Sequence, residues 1–436
     1  MTNYVIVGTG VAGIGAAEAI RSVDAHGTIT FISEDLHGYY SRPGLAYYLT
    51  GEVDEKLLFP LKPGDLKKLN AHFSHGNVVR IYPQKHQVEL SDGKHVYYER
   101  LLLAIGSNAI PLKVPGANLH GVAKLDNLED TRRLVSLTKN ARTAVVLGGG
   151  ITALELAEGL ASRKLKVHLV IRTAHCWSSV LDKIEAQIIE HKLNHDGITI
   201  HPNSELTSIQ GKHGKVAGIS LASGEQIDCE ILAYGIGVQP RLQLPKEAGM
   251  ACERGILVDE HQATSLPDIF AAGDVVQVHD PLSGRSIIES LWSPAREQGW
   301  VAGLNMAGQR AVYSLSVPLN VTRLAGLTTT IIGAVGSRDE SEPLTIAHGD
   351  SETWRDIPDA IIAQSGFDVN HLRLVVGKNT IVGAIVIGDQ KLSSPLQVMI
   401  RNRVDISEIR DQLIAPEAPI ADIVANLWSK LHASQN

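Results

Sequence analysis

The sequence predicts an α/β fold with two Rossmann-like dinucleotide-binding domains, followed by a C-terminal α+β domain. Three observations lead to this prediction. A strand, a glycine turn and a helix occur twice, and Gly148 follows Gly8 by 140 residues. A second apolar strand follows each copy, as a βαβ unit requires. The length of 436 residues suits about three domains.

The first copy begins with the apolar run 5–7, which is typical of a strand buried on both faces. Gly8, Gly10 and Gly13 follow in the spacing GxGxxG, and residues 16–20 continue as a helix. The first glycine permits a tight turn, the second lets a pyrophosphate approach the backbone, and the third lets helix and strand pack closely. Glu34 ends the next strand, where a carboxylate accepts hydrogen bonds from ribose hydroxyls.

The second copy consists of the strand 145–147, a turn with Gly148 and Gly150, and a helix over 155–160. Its third glycine is replaced by Ala153, which the pattern allows. At the ribose position stands Ile171, followed by Arg172. The missing carboxylate and the adjacent guanidinium favour a 2'-phosphate, and hence NADPH. The alternative is that Arg172 is a solvated surface side chain, so NADH and NADPH both stay open.

The C-terminal part changes to β-branched strands at 372–376 and 381–387, separated by a turn at 377–379. Helices are expected over 395–401, 406–414 and 420–431. The sequence pattern changes near Ser316, so the third domain is expected to span 316–436.

Composition limits the kinds of partner. The formal net charge of -7 and the pI of about 6.2 argue against nucleic acid. No apolar run reaches about 18 residues, so no membrane span is expected. The N-terminus lacks the pattern of a signal peptide, and we expect a cytoplasmic protein. Histidine pairs such as His191 and His195 lack a third ligand, so no metal is expected.

Successive motifs carry a resemblance to a known family. The segment 101–106, Leu-Leu-Leu-Ala-Ile-Gly, and the segment 269–274, Ile-Phe-Ala-Ala-Gly-Asp, follow the first glycine turn and the segment 40–45, Tyr-Ser-Arg-Pro-Gly-Leu. Together they resemble the FAD-dependent pyridine nucleotide-disulfide oxidoreductase superfamily. Its branch with NADH:rubredoxin reductase and the flavin domain of the nitrite reductase large subunit is the most similar. The resemblance runs from Tyr4 to Gly336, and again over 372–413.

The resemblance implies a glutathione-reductase-like fold, FAD as cofactor and NADH or NADPH as co-substrate. The FAD-binding domain would comprise 1–115 and 245–315, the NAD(P)H-binding domain 116–244, and the interface domain 316–436. Trp292 is equally expected to pack in the core or to contact the flavin. The residues expected to bind FAD are Gly8, Gly10, Val11, Ala12, Gly13, Glu34, Arg42, Pro43, Val79, Ala104, Gly106, Gly273, Asp274 and Trp292. The residues expected to bind NAD(P)H are Gly148, Gly150, Ile151, Thr152, Glu155, Arg172, Gly235 and Gly237.

Cysteines distinguish the branches of this superfamily. Cys176, Cys229 and Cys252 lie far apart and form neither a CxxC pair nor the four-thiolate set of an iron–sulfur cluster. Oxidases and peroxidases of the superfamily carry a cysteine where this chain has Pro43. The lysine of the ferredoxin-reductase motif RPxLSK is Tyr47 here. Without a redox-active thiol, the acceptor is expected to be a separate protein.

We therefore expect an FAD-dependent NAD(P)H oxidoreductase in which the flavin, rather than a side chain, carries the chemistry. The expected partner is a rubredoxin, a ferredoxin or an iron–sulfur protein of the nitrite-reductase type. The C-terminal domain would serve dimerisation, giving a homodimer, or acceptor docking. The alternatives are an oxidase that uses oxygen directly, and a redox-sensing flavoprotein like apoptosis-inducing factor.

Overall fold

The structure is a computed structural model that describes residues 1–280, 285–315, 317–335, 361–367 and 370–433. Ser316, where the third domain was expected to begin, and Gly336, where the first run of motifs ends, lie outside the described residues.

The N-terminal part is an open parallel sheet with a helix directly after its first strand. Its elements are β1 (Asn3–Val7), α1 (Val11–Val23), β2 (Thr28–Ser33), α2 (Gly44–Thr50), α3 (Pro63–Leu69), β3 (Ala71–His75), β4 (Val78–Tyr82), β5 (Gln87–Leu90), β6 (His95–Tyr97), β7 (Arg100–Leu103) and β8 (Ser107–Ala109). The strands β7, β1, β2 and β3 lie side by side, all parallel. The carboxyl ends of these strands therefore share one edge, where parallel α/β sheets bind ligands.

The next part repeats this plan. Its elements are β9 (Val122–Lys124), α4 (Leu128–Thr138), β10 (Thr143–Leu147), α5 (Ile151–Ser162), β11 (Lys166–Val170), α6 (Lys183–His195), β12 (Ile198–His201), β13 (Leu206–Lys212), β14 (Lys215–Leu221), β15 (Gln226–Asp228), β16 (Ile231–Tyr234), β17 (Val238–Pro240) and α7 (Gln243–Glu247). The parallel sheet has the order β12-β11-β10-β16-β9. Antiparallel pairing of β17 with β8 joins the two parts.

The chain then returns to the first sheet. The elements of this segment are β18 (Ile256–Leu257), β19 (Ile269–Ala271), β20 (Val276–Asp280), β21 (Arg285–Ile287) and α8 (Trp292–Met306). Strand β19 pairs in parallel with β7 and completes a five-stranded sheet. Helix α8 crosses α1 so closely that a Cβ on Gly299 would lie 2.0 Å from the Ala12 carbonyl oxygen. Only glycine allows this contact between backbones.

The C-terminal part is an antiparallel sheet with helices. Its elements are β22 (Leu319–Leu324), β23 (Leu327–Gly333), β24 (Ile361–Phe367), β25 (Asn370–Val376), β26 (Ile381–Ile387), α9 (Ser393–Arg401), α10 (Arg410–Leu413) and α11 (Ile420–Ala433). The strand order is β22-β23-β26-β25-β24. The helix predicted over 406–414 is wrong for its first half. There the Ser407 amide and hydroxyl bond the Asp405 carboxylate, a local turn that competes with helix formation.

Strands β25 and β26 are buried on both faces, where neighbouring residues point to opposite sides. Ile385 and Ile387 join the core around α5 and β11 of the second part. Ala384 and Val386 pack with α9 and α11. The C-terminal sheet thus shares a hydrophobic core with the second dinucleotide-type part. Within the described ranges, no helix is long and apolar enough to cross a bilayer.

Candidate functional site

The first glycine turn is shaped by close contacts. Gly8 has φ +110°, and a Cβ there would lie 2.2 Å from the Ala104 carbonyl oxygen. A Cβ on Gly13 would lie 2.3 Å from the Gly8 oxygen. At Gly10, in contrast, a Cβ would meet nothing within 4 Å, and no side chain caps the helix that starts there. Space is therefore left beside the positive end of α1, which attracts a phosphate.

The second glycine turn repeats this geometry. Gly148 has φ +127°, and a Cβ there would lie 2.2 Å from the Gly235 carbonyl oxygen. A Cβ on Gly150 would meet no atom within 4 Å. Helix α5 also lacks a side-chain cap. This helix start has the same space for an anionic group as the first.

One cavity of about 2750 Å³ joins the two turns. Sites for a single small ligand usually enclose roughly 300–1,000 Å³, so this cavity has room for two nucleotides. The predicted site residues that line it are Gly8, Gly10, Val11, Ala12, Glu34, Arg42, Val79, Ala104, Gly106, Gly148, Gly150, Ile151, Thr152, Arg172, Gly235, Gly237, Gly273 and Asp274.

Four predicted residues do not line the cavity. Gly13 packs under the first turn, and Pro43 precedes α2. Trp292 is 44% exposed, which argues against the alternative that it packs in the core. Glu155 lies in α5, where burial and the neighbouring Glu158 raise the pKa of its carboxyl to about 8. Their assignment to ligand binding stays a prediction.

Asp274 is half-buried in the cavity wall. Its carboxylate accepts a hydrogen bond from the Ser107 hydroxyl at 2.9 Å, and burial raises its pKa. The preceding Gly273 has φ +85° and donates its amide to the Gln298 side chain at 2.9 Å. Gln298 is fully buried in α8. Helix α8 therefore fixes the turn that presents Asp274 to the cavity.

Long-range polar partners surround the predicted residues. Glu34 forms an ion pair with Arg241, which follows β17. Arg42 donates to the carbonyl of Asp126 at 2.8 Å. Arg241, Asp126 and Ser107 all line the cavity, yet sequence reasoning missed them. Arg241 and Asp126 belong to no local motif and reach the site where the two parts meet. Ser107 directly follows the segment 101–106 and bonds Asp274 of the same part.

The loop 172–182 follows β11 and borders the second turn. Arg172 is exposed at its start, and Ile171 before it is fully buried. The lining residues of this loop are Arg172, Thr173, Trp177, Ser178 and Ser179. Sequence reasoning found only Arg172, because the others follow no pattern in the glycine motif.

The cysteines lie away from this chemistry. Burial raises the pKa of the Cys229 thiol to about 12 and that of the Cys176 thiol well above its usual value. No cysteine is among the described residues that line the cavity. Nor do three or more His, Cys, Asp or Glu side chains of the described ranges converge in a way that could hold a metal ion.

Two glycine turns that open into one cavity define a protein built to bring two dinucleotides together. Residues 2–299 match the pyridine nucleotide-disulphide oxidoreductase family, and because this is more than half of the chain, the protein belongs to that family. The membership confirms the fold class and the oxidoreductase activity expected from the sequence. The expected cofactors, FAD and NADH or NADPH, agree with it.

Similar proteins cover most of the chain. The rubredoxin-NAD(+) reductase of Ectopseudomonas oleovorans is 34% identical over 286 residues, which are 65% of this chain and 74% of that protein. The NADH-dependent phenylglyoxylate dehydrogenase subunit epsilon of Aromatoleum evansii is 28% identical and covers 98% of both chains. The solved NADH:rubredoxin oxidoreductase of Clostridium acetobutylicum has a TM-score of 0.74 at 25% identity, covering 98% of this chain and 99% of that one.

Proposed function

We propose that this protein passes electrons from NADH or NADPH through FAD to a small electron-carrier protein. The observation that carries the proposal is the single cavity between two uncapped helix starts, each behind a glycine turn. The relatives named as rubredoxin reductases support the type of acceptor. A rubredoxin, a ferredoxin or a nitrite-reductase-type iron–sulfur protein is proposed, with a cytoplasmic location and a homodimeric state as further parts of the proposal.

We assign FAD to the part formed by residues 1–115 and 245–315. The amides of Gly10, Val11 and Ala12 would bind its pyrophosphate at the start of α1. Glu34 would accept from its adenosine ribose, and Asp274 from its ribityl chain. Arg42, Val79, Ala104 and Gly106 would complete the cradle, and Gly13, Pro43 and Trp292 would support it. This assignment fits the open space at Gly10 and the position of Asp274 in the cavity wall.

We assign the nicotinamide coenzyme to residues 116–244. Gly148, Gly150, Ile151 and Thr152 would hold its pyrophosphate at the start of α5, with Gly235 and Gly237 behind the turn. Glu155 would contribute to this coenzyme site from its position in α5. The chemistry that bound FAD would supply at this site is acceptance of a hydride from the coenzyme and release of electrons one at a time. The protein would position both groups, and the remaining residues 316–436 would form the interface domain.

Anaerobic stopped-flow absorbance tests the proposal. Mixing with NADH or NADPH should bleach the flavin, and adding oxidised rubredoxin or ferredoxin should restore its colour faster than air-saturated buffer does. Restoration by oxygen alone at the higher rate would favour the oxidase alternative instead.

The variant Gly150→Val tests the assigned coenzyme site in the same experiment. A Cβ on Gly150 would meet no protein atom within 4 Å, so the variant should fold and bind FAD. NADH or NADPH should no longer reduce the flavin of this variant, whereas dithionite should still bleach it. Bleaching by coenzyme at the wild-type rate would contradict the assigned coenzyme site.

For the choice of coenzyme we propose NADPH, because Ile171 replaces the carboxylate and Arg172 is exposed at the cavity. Arg172→Ala should lower kcat/KM for NADPH by roughly tenfold or more, the effect of losing a charge-assisted hydrogen bond. The value for NADH should stay nearly constant. Arg142→Ala, an exposed arginine away from the cavity, is the control. A strong NADH advantage that Arg172→Ala leaves intact would refute NADPH.

A further inference from the structure

The loop 172–182 is held at its middle and near its C-terminal end. Near its middle, the Trp177 amide donates to the Gly149 carbonyl at 2.7 Å, so the loop is attached to the second glycine turn. Trp177 itself is buried with φ +47°, a conformation that its surroundings must impose. The loop geometry is therefore set by contacts rather than by local preference.

The second attachment comes from the C-terminal sheet. Arg373 of β25 is fully buried, and its Nη2 donates to the Val180 carbonyl at 2.6 Å and to the Val335 carbonyl at 3.1 Å. Its Nε lies 3.0 Å from Oε1 of Glu185, which is also fully buried. One guanidinium thus contacts the end of the loop and the first turn of α6.

Glu185 connects the same cluster to the helix start. Its amide donates to the Asp182 carboxylate at 2.9 Å, and its own carboxylate accepts the Asp182 amide at 3.0 Å, which forms a capping box. His371 places Nε2 3.5 Å from Oε1 of Glu185. Nε of Arg373 and Oε1 of Glu185 form an ion pair without the geometry of a hydrogen bond, and loss of one partner of a buried ion pair leaves an uncompensated charge. The loop end, the helix start and the C-terminal sheet are therefore coupled through Arg373.

Apolar packing follows the same line. Trp177 and Val180 of the loop share a core with Ile385 and Ile387 of the C-terminal sheet. The sheet thus lies behind the loop, while the lining residues of the loop face the cavity on the other side.

We propose that Arg373 is a positioning residue through which the C-terminal sheet sets the affinity for the nicotinamide coenzyme. This inference rests on the proposed function, because it takes the loop 172–182 as the coenzyme loop. It gives the C-terminal unit a role within its own chain, separate from dimerisation and acceptor docking. Displacing the loop would move Arg172 and Thr173 away from the coenzyme and leave the FAD site unchanged.

The experiment compares Arg373→Met with Leu374→Ala in the FAD-loaded protein. Arg373→Met should raise KM for the better coenzyme roughly tenfold, since the displaced loop would lose about one charge-assisted hydrogen bond to the coenzyme, an interaction that counts in binding alone. The bound FAD per chain and kcat should stay near wild type. Leu374 is equally buried but faces α9 and α11. Its truncation should lower Tm by leaving a cavity without changing KM.

Two milder variants keep the inference testable if Arg373→Met fails to fold. Arg373→Lys keeps the charge but lacks the fork needed to reach Val180 and Glu185 together, so KM should rise several-fold. Glu185→Gln keeps the shape and should have a smaller effect. A KM at the wild-type value in Arg373→Lys, or a lowered Tm without a change in KM in Arg373→Met, would overturn the inference. If no coenzyme reduces the wild-type flavin, the proposed function itself fails.

Discussion

Single glycines in each turn have different tasks. Gly8 and Gly13 stand where a Cβ would overlap backbone oxygen, so they are required by the fold itself. Gly10 stands where a Cβ would meet open space, so the protein alone does not require glycine there. A residue that the fold does not need but the nucleotide motif does is best explained by the ligand.

The pair Gly10→Ala and Gly13→Ala separates these tasks. Gly10 has φ -70°, which alanine adopts easily, so Gly10→Ala should cost the apoprotein less than about 1 kcal/mol. It should weaken FAD binding by roughly tenfold or more, because the methyl group occupies the approach to the pyrophosphate. Gly13→Ala should lower apoprotein stability by about 1–3 kcal/mol through overpacking.

Urea unfolding of the apoprotein and fluorescence titration with FAD measure the two effects. Equal FAD affinity in wild type and Gly10→Ala would show that the space beside Gly10 is not the pyrophosphate site. An apoprotein of Gly13→Ala as stable as wild type would contradict the packing explanation for the third glycine.

The sequence was informative about residues that belong to local motifs and silent about those that pair over long distances. The turn glycines were found because they follow buried strands, and Asp274 because the segment 269–274 resembles a motif of the family. Arg241 and Arg373 were missed, since their partners Glu34 and Val180 lie 207 and 193 residues away. No local pattern records such a pairing.

Secondary-structure elements were predicted best where burial imposes one period. The strands expected at 5–7, 145–147 and 381–387 are confirmed, because each is a continuous apolar run with both faces covered. The helix over 406–414 was wrong because apolar spacing alone did not reveal the turn at Asp405. The crossing of α1 and α8 also escaped prediction. The glycines of α8 are visible in the sequence, but their partner helix lies almost 300 residues earlier.

At the scale of the whole molecule, the three parts meet around two half-buried acids of α5. Burial is the largest cause that raises the pKa of Glu155 to about 8 and that of Glu158 to about 7. Glu158 accepts the Ala325 amide of the C-terminal part at 2.5 Å. Tyr47 of α2 is close enough that Glu155 contributes to its raised pKa. With raised pKa values, Glu155 and Glu158 bind protons more tightly in the folded chain than in the unfolded chain.

This arrangement predicts that the stability of the molecule falls as the pH rises. The pKa of Glu155 is about 8 when folded, against an ordinary value of 4.5. Between these values the folded chain binds more protons than the unfolded chain, so the unfolding free energy decreases with pH. In Glu155→Gln the side chain at position 155 cannot ionise. Its stability relative to wild type should increase between about pH 5 and about pH 8, by at most about 1.4 kcal/mol per pH unit, and then level off.

Tm measured for wild type and Glu155→Gln across this pH range gives the difference directly. Glu417→Gln, an exposed acid of the C-terminal part, is the control for removing one carboxylate. If the difference in Tm between wild type and Glu155→Gln stays constant with pH, Glu155 has the same pKa in the folded and the unfolded chain. Burial among the three parts would then not hold its proton, and Glu158 would have to account alone for any loss of stability towards alkaline pH.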